Sequence, residues 1–465
     1  MLCSAGAELI SELEAKLGAG GVRAVEPRDI EEPRGLFKGQ AAAVLRPANT
    51  AEVSLVLAAC NAARVPVVPL GGGTGLVGGQ VMVEGPVPVL LSLERMAAIR
   101  EISAENNTMT VEAGAVLADI HTGAEGAGRM FPLRLASEGS CRIGGNLATN
   151  AGGVNVLRYG NTRALCMGLE AVLADGTVMG GLKRLRKDNT GYDMRDLMIG
   201  SEGSLGVITA AVLRLYPVPA ARHTAFVAAP TPKAAPGLLH ALEGVLPGAV
   251  TGFELMHQTG FDFLAETGFS LKPPLEADDW TVLLEISGAA GLAEVLETAL
   301  AEALNSGQIT DAVITQNEAQ RAHFWAIRET IPEANKRIGS ISSHDISVPV
   351  SEVPAFIGRA RKAVPAKLRI NCFGHMGDGN LHYNIFPPLG ENRADYAGRR
   401  EELARVIFDI VAEFGGSFSA EHGVGRLKVD DLERYGDAGR LVAMRRIKTA
   451  LDPVGIMNPG AVLHT

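Results

Sequence analysis

Two histidines and a glutamate in the second half of the chain have the side chains of a metal site. His375 and His382 lie in one glycine-rich segment, and Glu421 lies in a later glycine-bounded loop. Because alternate strand residues share a face, a strand from 381 places His382 beside Asn384, and the preceding glycines can return His375 to that face. Two imidazoles and a carboxylate suit a borderline divalent cation and leave coordination positions open. The sequence predicts such a metal, zinc before manganese or iron; structural histidines on loops are the competing interpretation.

A glycine-rich loop in the first half of the chain predicts a phosphate-binding site. Residues 71–79 contain six glycines and follow the apolar segment 65–70. Backbone N–H groups without side chains can approach a pyrophosphate closely. The loop matches the G-x-G-x-x-G pattern of Rossmann domains, but Pro86 and Pro88 leave no room for the helix which that fold requires. We therefore expect a phosphate-bearing cofactor bound in another way, and an ordinary flexible turn is the alternative.

Three further small-residue runs predict the lining of a large polar ligand. They lie at 144–153, 188–193 and 200–209, and each combines glycine with amide or hydroxyl side chains. Loops of this composition present backbone and hydroxyl donors to a flat, polar molecule. Several such runs are stronger evidence for a cofactor cleft than one alone.

Hydrophobic periodicity predicts the elements that must position these residues. A run of prolines from 217 to 236 marks a boundary between an α/β first part and a second part in which strands and helices mix. The predicted helices are 6–18, 50–63 (with Thr50 as its cap), 289–305, 317–337, 393–414 and 437–451. The predicted strands are 65–70, 87–93, 108–113, 223–229 and 280–286, with two more in 369–386.

The segments described above resemble those of a known family. Residues 40–217 resemble the FAD domain of flavoproteins of the vanillyl-alcohol oxidase type. The whole chain resembles the D-2-hydroxy acid branch, with its D-lactate dehydrogenases, glycolate oxidase FAD subunits and D-2-hydroxyglutarate dehydrogenases. The resemblance implies an α+β fold in three parts: a two-subdomain FAD-binding domain (1–217), an α+β substrate domain with the metal site (218–425) and a C-terminal segment (426–465) that packs back on the first.

The resemblance also implies which residues bind FAD. Loop 71–79 would hold the pyrophosphate, and 144–153 and 200–209 would line the rest of the dinucleotide. Because no histidine lies in 71–79, we expect FAD to be non-covalent. The expected FAD contacts are Pro69, Gly71, Gly72, Gly73, Thr74, Gly75, Leu76, Gly78, Gly145, Asn146, Thr149, Asn150, Gly152, Gly153, Gly203, Gly206, Ile208 and Asn458.

Three catalytic roles follow from the same resemblance. His422 matches the histidine that acts as the base, which would take the hydroxyl proton while the metal lowers the pKa of that hydroxyl. The α-hydrogen would leave as hydride to flavin N5. Asn384 would hydrogen-bond the hydroxyl, and Arg328 would bind the substrate carboxylate through its planar fork.

Two departures from the family bear on the substrate. D-2-hydroxyglutarate dehydrogenases usually carry a lysine where this chain has Ser343, and often a threonine or serine where it has Pro332. Losing an ammonium and a hydroxyl would weaken binding of a second carboxylate. We therefore expect D-lactate or a similar short D-2-hydroxy acid. Hydroxyglutarate remains an alternative because His344 could partly substitute, and a glycolate oxidase subunit is another.

Composition limits the partners and the location. The 465 residues carry a net charge of −9 and no basic run, which argues against nucleic acid. No apolar run is long enough to span a bilayer, the N-terminus does not have the pattern of a leader, and the five cysteines form no paired motif. These features predict a cytoplasmic protein. Its expected partners are a small 2-hydroxy acid and an electron acceptor (electron-transfer flavoprotein, a quinone or a partner subunit), and a homodimer is expected as one oligomeric form.

Three other functions stay open from sequence. One is oxidation of a different alcohol on the same fold. A metal-dependent hydrolase would use the histidines and Glu421, but it would leave the glycine loops unexplained. A non-catalytic flavin subunit is disfavoured, because His375, His382, Glu421 and His422 are all present.

Overall fold

The computed structural model describes residues 1–277 and 279–464 as an α+β protein, which confirms the predicted class. The helices, numbered in chain order, are α1 (Ala7–Leu17), α2 (Pro27–Ile30), α3 (Thr50–Ala63), α4 (Leu117–Gly126), α5 (Ile143–Ala148), α6 (Val156–Tyr159), α7 (Met194–Met198), α8 (Ala234–Val245), α9 (Gln258–Glu266), α10 (Leu292–Asn305), α11 (Glu318–Ile338), α12 (Val353–Ala363), α13 (Arg400–Glu413), α14 (Val429–Tyr435) and α15 (Ala438–Leu451). Short 3-10 helices lie at Val350–Glu352, Met376–Asp378 and Arg393–Tyr396.

The strands complete the framework. They are β1 (Val22–Arg23), β2 (Val44–Leu45), β3 (Val67–Leu70), β4 (Val89–Ser92), β5 (Ile99–Ser103), β6 (Thr108–Glu112), β7 (Arg129–Met130), β8 (Cys166–Val172), β9 (Val178–Met179), β10 (Val207–Arg214), β11 (Tyr216–Pro217), β12 (Ala221–Ala229), β13 (Val250–His257), β14 (Trp280–Gly288), β15 (Asp311–Ile314), β16 (Asp345–Ser347), β17 (Arg369–Gly374) and β18 (Asn380–Phe386).

Two compact units make up the chain. The first comprises residues 1–152, 161–218 and 421–465, and the second comprises 153–160 and 219–420. The domain roles assigned above to 1–217, 218–425 and 426–465 stay predictions. No helix in residues 1–277 and 279–464 is both long and apolar enough to cross a membrane.

The first unit contains two main sheets. One has the order β1-β2-β4-β3, with β4 parallel to both of its neighbours, and all four residues of β4 are buried. Burial on both faces is typical of parallel strands. The other sheet is antiparallel, in the order β5-β6-β10-β8-β9. The C-terminal segment returns to the first sheet, where the N–H of Val67 donates to Ile456 O and the N–H of Asn458 donates to Val67 O.

The second unit is built on one seven-stranded antiparallel sheet, in the order β15-β12-β14-β13-β17-β18-β16. Helices α9 and α11 pack against it, and their apolar side chains share a core with the strands. Aromatic side chains dominate this core: Phe226, Phe261, Phe263, Phe324, Trp325, Phe373 and Phe386. The buried sheet thereby holds β13, β17 and β18 side by side, and these strands carry the polar residues of interest.

Several observed elements differ from the predicted ones, and helices α4, α8 and α12 and strands β5, β8 and β10 are among those that were not predicted. Asn49 rather than Thr50 caps α3, because its side chain accepts the N–H of Glu52. The helix predicted at 393–414 is a short 3-10 turn followed by α13 from Arg400. Strand β13 and helix α9 were not predicted. The apolar run of β13 is interrupted by Glu254, which weakened its strand signal.

Candidate functional site

A cleft lies among the glycine-rich loops of the first unit, and we call it the glycine cleft. Of the predicted contacts, those that line it are Pro69, Gly71, Gly72, Gly73, Thr74, Gly75, Gly145, Asn146, Thr149, Gly203, Gly206 and Ile208. Leu76, Gly78, Asn150, Gly152 and Asn458 lie in the same unit outside that lining, and Gly153 belongs to the second unit.

Close backbone packing shapes the glycine cleft. A β-carbon on Gly72 would lie 2.2 Å from the carbonyl oxygen of Ser140, and Gly73 has φ +71°, so neither position tolerates a side chain easily. Apolar side chains such as Leu91 and Leu93 form part of the wall. The Oδ1 atom of Asn146 is buried without a hydrogen-bond partner in the described chain. An apolar wall, bare backbone and one unsatisfied polar atom suit a flat ligand with polar edges.

His375 and His382 come together at the hairpin of β17 and β18. In the antiparallel register Phe373 faces His382, and the two imidazole centroids are 5.8 Å apart. Gly374 has φ +147°, and a β-carbon there would lie 2.8 Å from Asn380 O. Only glycine lets the chain turn so tightly before His375. Glu421, the third predicted ligand, follows Ala420, the last residue of this unit, and belongs to the first unit.

A buried glutamate that the sequence did not single out holds one of these histidines. Strand β13 pairs Leu255 with Gly374, and this register carries Glu254 next to His375. The Oε1 atom of Glu254 is 2.6 Å from Nδ1 of His375. A proton on Nδ1 would leave the Nε2 lone pair to a metal, as in carboxylate–histidine–metal arrangements. The sequence signal that could have identified Glu254 is a single charged residue within an otherwise mostly apolar segment.

Arg328 completes a line of three hydrogen-bonded side chains, with Glu254 between Arg328 and His375. Its Nε donates to Oε2 of Glu254 at 2.8 Å, and its guanidinium lies 4.8 Å from the ring centroid of Phe373. Arg328 is only 6% exposed. Burial by itself would raise the pKa of Glu254, but His375 and Arg328 outweigh it and lower that pKa to about 2. Perturbed, buried charge of this kind is concentrated at functional sites.

The other predicted site residues have defined surroundings. His422 lines the glycine cleft, and its Nε2 lies 3.5 Å from Oε1 of Glu421. Asn384 is buried on β18, and its Oδ1 accepts the N–H of His344 at 3.2 Å. The catalytic roles of His422, Asn384 and Arg328 stay predictions.

The residues that bear on substrate size are also placed. Ser343 is exposed and hydrogen-bonds the hydroxyl of Ser340, and Pro332 is exposed within α11. His344 is buried, with one ring nitrogen 2.8 Å from Ser342 Oγ and the other 2.5 Å from Tyr383 O. Both of its ring nitrogens have partners inside the unit, which weakens the alternative that His344 partly substitutes for the missing lysine.

Two family descriptions match this chain. Residues 41–180 match an FAD binding domain, and residues 218–462 match the C-terminal domain of FAD linked oxidases. The chain belongs to the FAD-linked oxidases. Within them it belongs to the D-2-hydroxy acid dehydrogenase branch, as the predicted resemblance had it. An oxidoreductase of this family uses FAD, which the lining of the glycine cleft fits, and the hydrolase alternative loses its support.

Curated relatives cover nearly the whole chain. A "Probable D-2-hydroxyglutarate dehydrogenase, mitochondrial" of Oryza sativa subsp. indica is 38% identical over 92% of this chain and 76% of that protein. The "D-2-hydroxyglutarate dehydrogenase, mitochondrial" of Bos taurus is 36% identical over 95% and 81%. The "D-2-hydroxyglutarate dehydrogenase" of Xanthomonas citri pv. viticola is 36% identical over 91% and 89%.

Solved structures confirm the fold of the vanillyl-alcohol oxidase type. p-Cresol methylhydroxylase superposes with a TM-score of 0.76 at 16% identity, covering 98% of this chain and 96% of that one. The 4-ethylphenol oxidase from Gulosibacter chungangensis has a TM-score of 0.75 at 21% identity, covering 99% and 98%. At these identities the similarity establishes the fold and gives no information about the substrate.

Proposed function

We propose that this protein oxidises D-2-hydroxyglutarate to the 2-oxo acid. The observation that carries the proposal is the hydrogen-bonded line of Arg328, Glu254 and His375, whose imidazole centroid lies 5.8 Å from that of His382. A buried guanidinium next to a set of metal-ligating side chains is suited to a carboxylate whose neighbouring hydroxyl is to be oxidised. The substrate is proposed from relatives at 36–38% identity that are named for it.

This substrate differs from the one that the sequence favoured. Ser343 and Pro332 led us to expect D-lactate, and the named relatives support the hydroxyglutarate alternative better. The exposed position of both residues also weakens the argument, because neither side chain lies among the buried charges around Glu254. D-Lactate becomes the second substrate to compare.

The proposed roles of the side chains follow their positions. His375, His382 and Glu421 would hold a divalent cation, which when bound polarises a hydroxyl oxygen. Arg328 would bind the carboxylate next to that hydroxyl, held in place by Glu254. Asn384 would orient the hydroxyl, and His422 would accept its proton as a neutral imidazole.

The glycine cleft would hold the second cofactor. Its glycine-rich loops would bind the pyrophosphate of FAD through backbone N–H groups, and Asn146 would use its unsatisfied oxygen toward a donor on the ligand. Bound FAD supplies a two-electron acceptor for the hydride. We propose electron-transfer flavoprotein or a quinone as the next acceptor, a homodimer as the assembly and the cytoplasm as the location.

The proposal is tested by anaerobic reduction of the purified holoenzyme. D-2-Hydroxyglutarate, D-lactate and their L forms are added separately while the visible flavin absorbance is followed. We expect both D acids to bleach the flavin, D-2-hydroxyglutarate with the higher kcat/KM, and neither L acid to do so. Chelator treatment should abolish bleaching, and zinc or manganese should restore it. A yellow protein that none of these acids bleaches would refute the proposed substrate class.

A further inference from the structure

A partly buried carboxylate, that of Glu202, contacts the loop that carries His422. Glu202 accepts the N–H of Val424 on Oε1 at 2.7 Å and the N–H of Gly425 on Oε2 at 2.8 Å. All of these residues belong to the first unit. The two amides are the second and third after His422, so one side chain determines the path of the backbone on the C-terminal side of that residue.

The loop has no freedom to take another path around this carboxylate. Gly423 has φ +81°, and a β-carbon there would lie 2.6 Å from Oε1 of Glu202. On the other side, a β-carbon on Gly425 would lie 2.2 Å from Val77 O. Glu202 itself has φ +52°, which is uncommon for a residue with a side chain. Both partners therefore adopt restricted backbone conformations to bring carboxylate and amides together.

The partly buried guanidinium of Arg426 extends the contact to the glycine loop. Arg426 donates from Nη1 to Gly78 O and Gly79 O, both at 3.0 Å, and from Nη2 to Oδ1 of Asn458 at 2.8 Å. Asn458 in turn donates from Nδ2 to Gly79 O and to Glu202 O, both at 2.9 Å. These bonds close a ring through Glu202, Arg426 and Asn458, which we call the Glu202 clamp.

The charged groups of the clamp are largely removed from solvent, and this shifts their pKa values. Burial raises the pKa of Glu202, although the two amides and the positive charges of Lys428 and Arg426 act to lower it. Burial also lowers the pKa of Arg426 to about 10. Burying charge is costly unless it is well bonded. Glu202 and His422 also line the same cleft.

We propose that Glu202 is a positioning residue for His422: by binding the 424 and 425 amides it holds the imidazole at the wall of the glycine cleft. The inference deepens the proposed function and rests on the base role given there to His422. Misplacing a reacting group by about 1 Å costs about 100-fold in rate. Loss of the clamp would therefore slow the chemical step and leave the affinity for substrate unchanged.

Two variants test the proposal. Glu202→Ala removes both acceptors, and Glu202→Gln keeps the shape and one acceptor. In stopped-flow reduction by D-2-hydroxyglutarate, we expect the limiting rate of flavin bleaching to fall about 10- to 100-fold in the alanine variant and less in the glutamine variant. Rates are compared on FAD-loaded protein, and the substrate dissociation constant, from the concentration dependence of that rate, should stay within about twofold.

Glu32→Ala is the matched control. Glu32 is a buried carboxylate of the same unit that accepts the N–H groups of Arg34 at 2.9 Å and Leu36 at 3.1 Å. Its loss should lower thermal stability without slowing reduction of the FAD-loaded protein. Reduction at the wild-type rate in Glu202→Ala, or slowing that merely follows lost FAD, would overturn the positioning role.

A second readout separates this inference from the proposed function. The rate at which diethyl pyrocarbonate modifies His422, followed by peptide mass spectrometry, reports how the imidazole is held and needs no substrate. We expect this rate to change severalfold in Glu202→Ala and to stay at the wild-type value in Glu32→Ala. An unchanged rate in Glu202→Ala refutes the clamp even if no 2-hydroxy acid reduces the wild-type protein, which by itself would refute only the substrate proposal.

Discussion

Replacing Glu254 by glutamine should lower both the affinity for metal and the stability of the second unit. The change keeps the shape of the side chain but removes the charge that faces Nε of Arg328 at 2.8 Å and Nδ1 of His375 at 2.6 Å. Glu254 is fully buried and Arg328 is 6% exposed, so the guanidinium would be left in the interior without its anion.

The structure sets the size of both effects. Breaking a buried ion pair by removing one partner costs about 3–5 kcal/mol. Because the glutamine oxygen can still accept one hydrogen bond, we expect the free energy of unfolding of the second unit to fall by about 2–4 kcal/mol. Loss of the carboxylate behind a metal-ligating histidine typically lowers metal affinity by about 10- to 100-fold.

Fluorescence and metal analysis measure the two effects separately. Both tryptophans of the chain, Trp280 and Trp325, lie in the second unit, so their emission during urea unfolding reports that unit alone. Metal content after dialysis against buffered zinc gives the affinity.

The control is Glu285→Gln, which alters a buried glutamate on the neighbouring strand β14. Glu285 accepts hydrogen bonds from Arg321 at 3.0 Å and Trp325 at 2.9 Å. We expect a comparable loss of stability in this variant and full metal content. If Glu254→Gln bound zinc as tightly as Glu285→Gln does, the assignment of Glu254 to the metal site would be wrong.

Three further predictions follow from the same structure. His382→Ala should lose the metal while keeping a normal flavin spectrum, and equal metal content in mutant and wild type would contradict the ligand set. Gly72→Ala should purify with little FAD, since its β-carbon would lie 2.2 Å from Ser140 O. A variant that purifies fully loaded with FAD would show that FAD binding does not depend on this close backbone packing. Burial and then Arg134 lower the pKa of His121 below 6.5, so the unfolded chain binds this proton first and stability falls as the pH drops below about 6.5; His121→Gln should flatten the change in melting temperature between about pH 7 and pH 5.5.

Local patterns were enough to indicate the chemistry and much of the cofactor site. The glycine run at 71–79, the histidine segment at 374–384 and the loop around Glu421 are short stretches whose composition constrains the backbone directly. Twelve of the predicted FAD contacts line the glycine cleft for this reason. Asn458 lies outside its lining, because its side chain bonds Arg426, Gly79 and Glu202 instead.

Substrate size was harder to read from sequence. Ser343 and Pro332 were weighed by their chemical type, and His344 was considered as a replacement for the missing lysine. In the structure His344 is buried and its two ring nitrogens lie within hydrogen-bond distance of Ser342 and Tyr383, which weakens that alternative. Whether a polar side chain is available to a ligand depends on its tertiary partners, which residue type does not specify.

By itself the sequence determined the residue types of the proposed metal site, the glycine loops and the family. Only the tertiary structure decided that Glu254 contacts His375 across 121 residues, and that Glu202 holds the loop after His422 across 222 residues. Helix and strand periodicity describe neighbours three, four or two residues apart. Pairs this distant depend on strand register and loop packing, which are set by burial of the whole core.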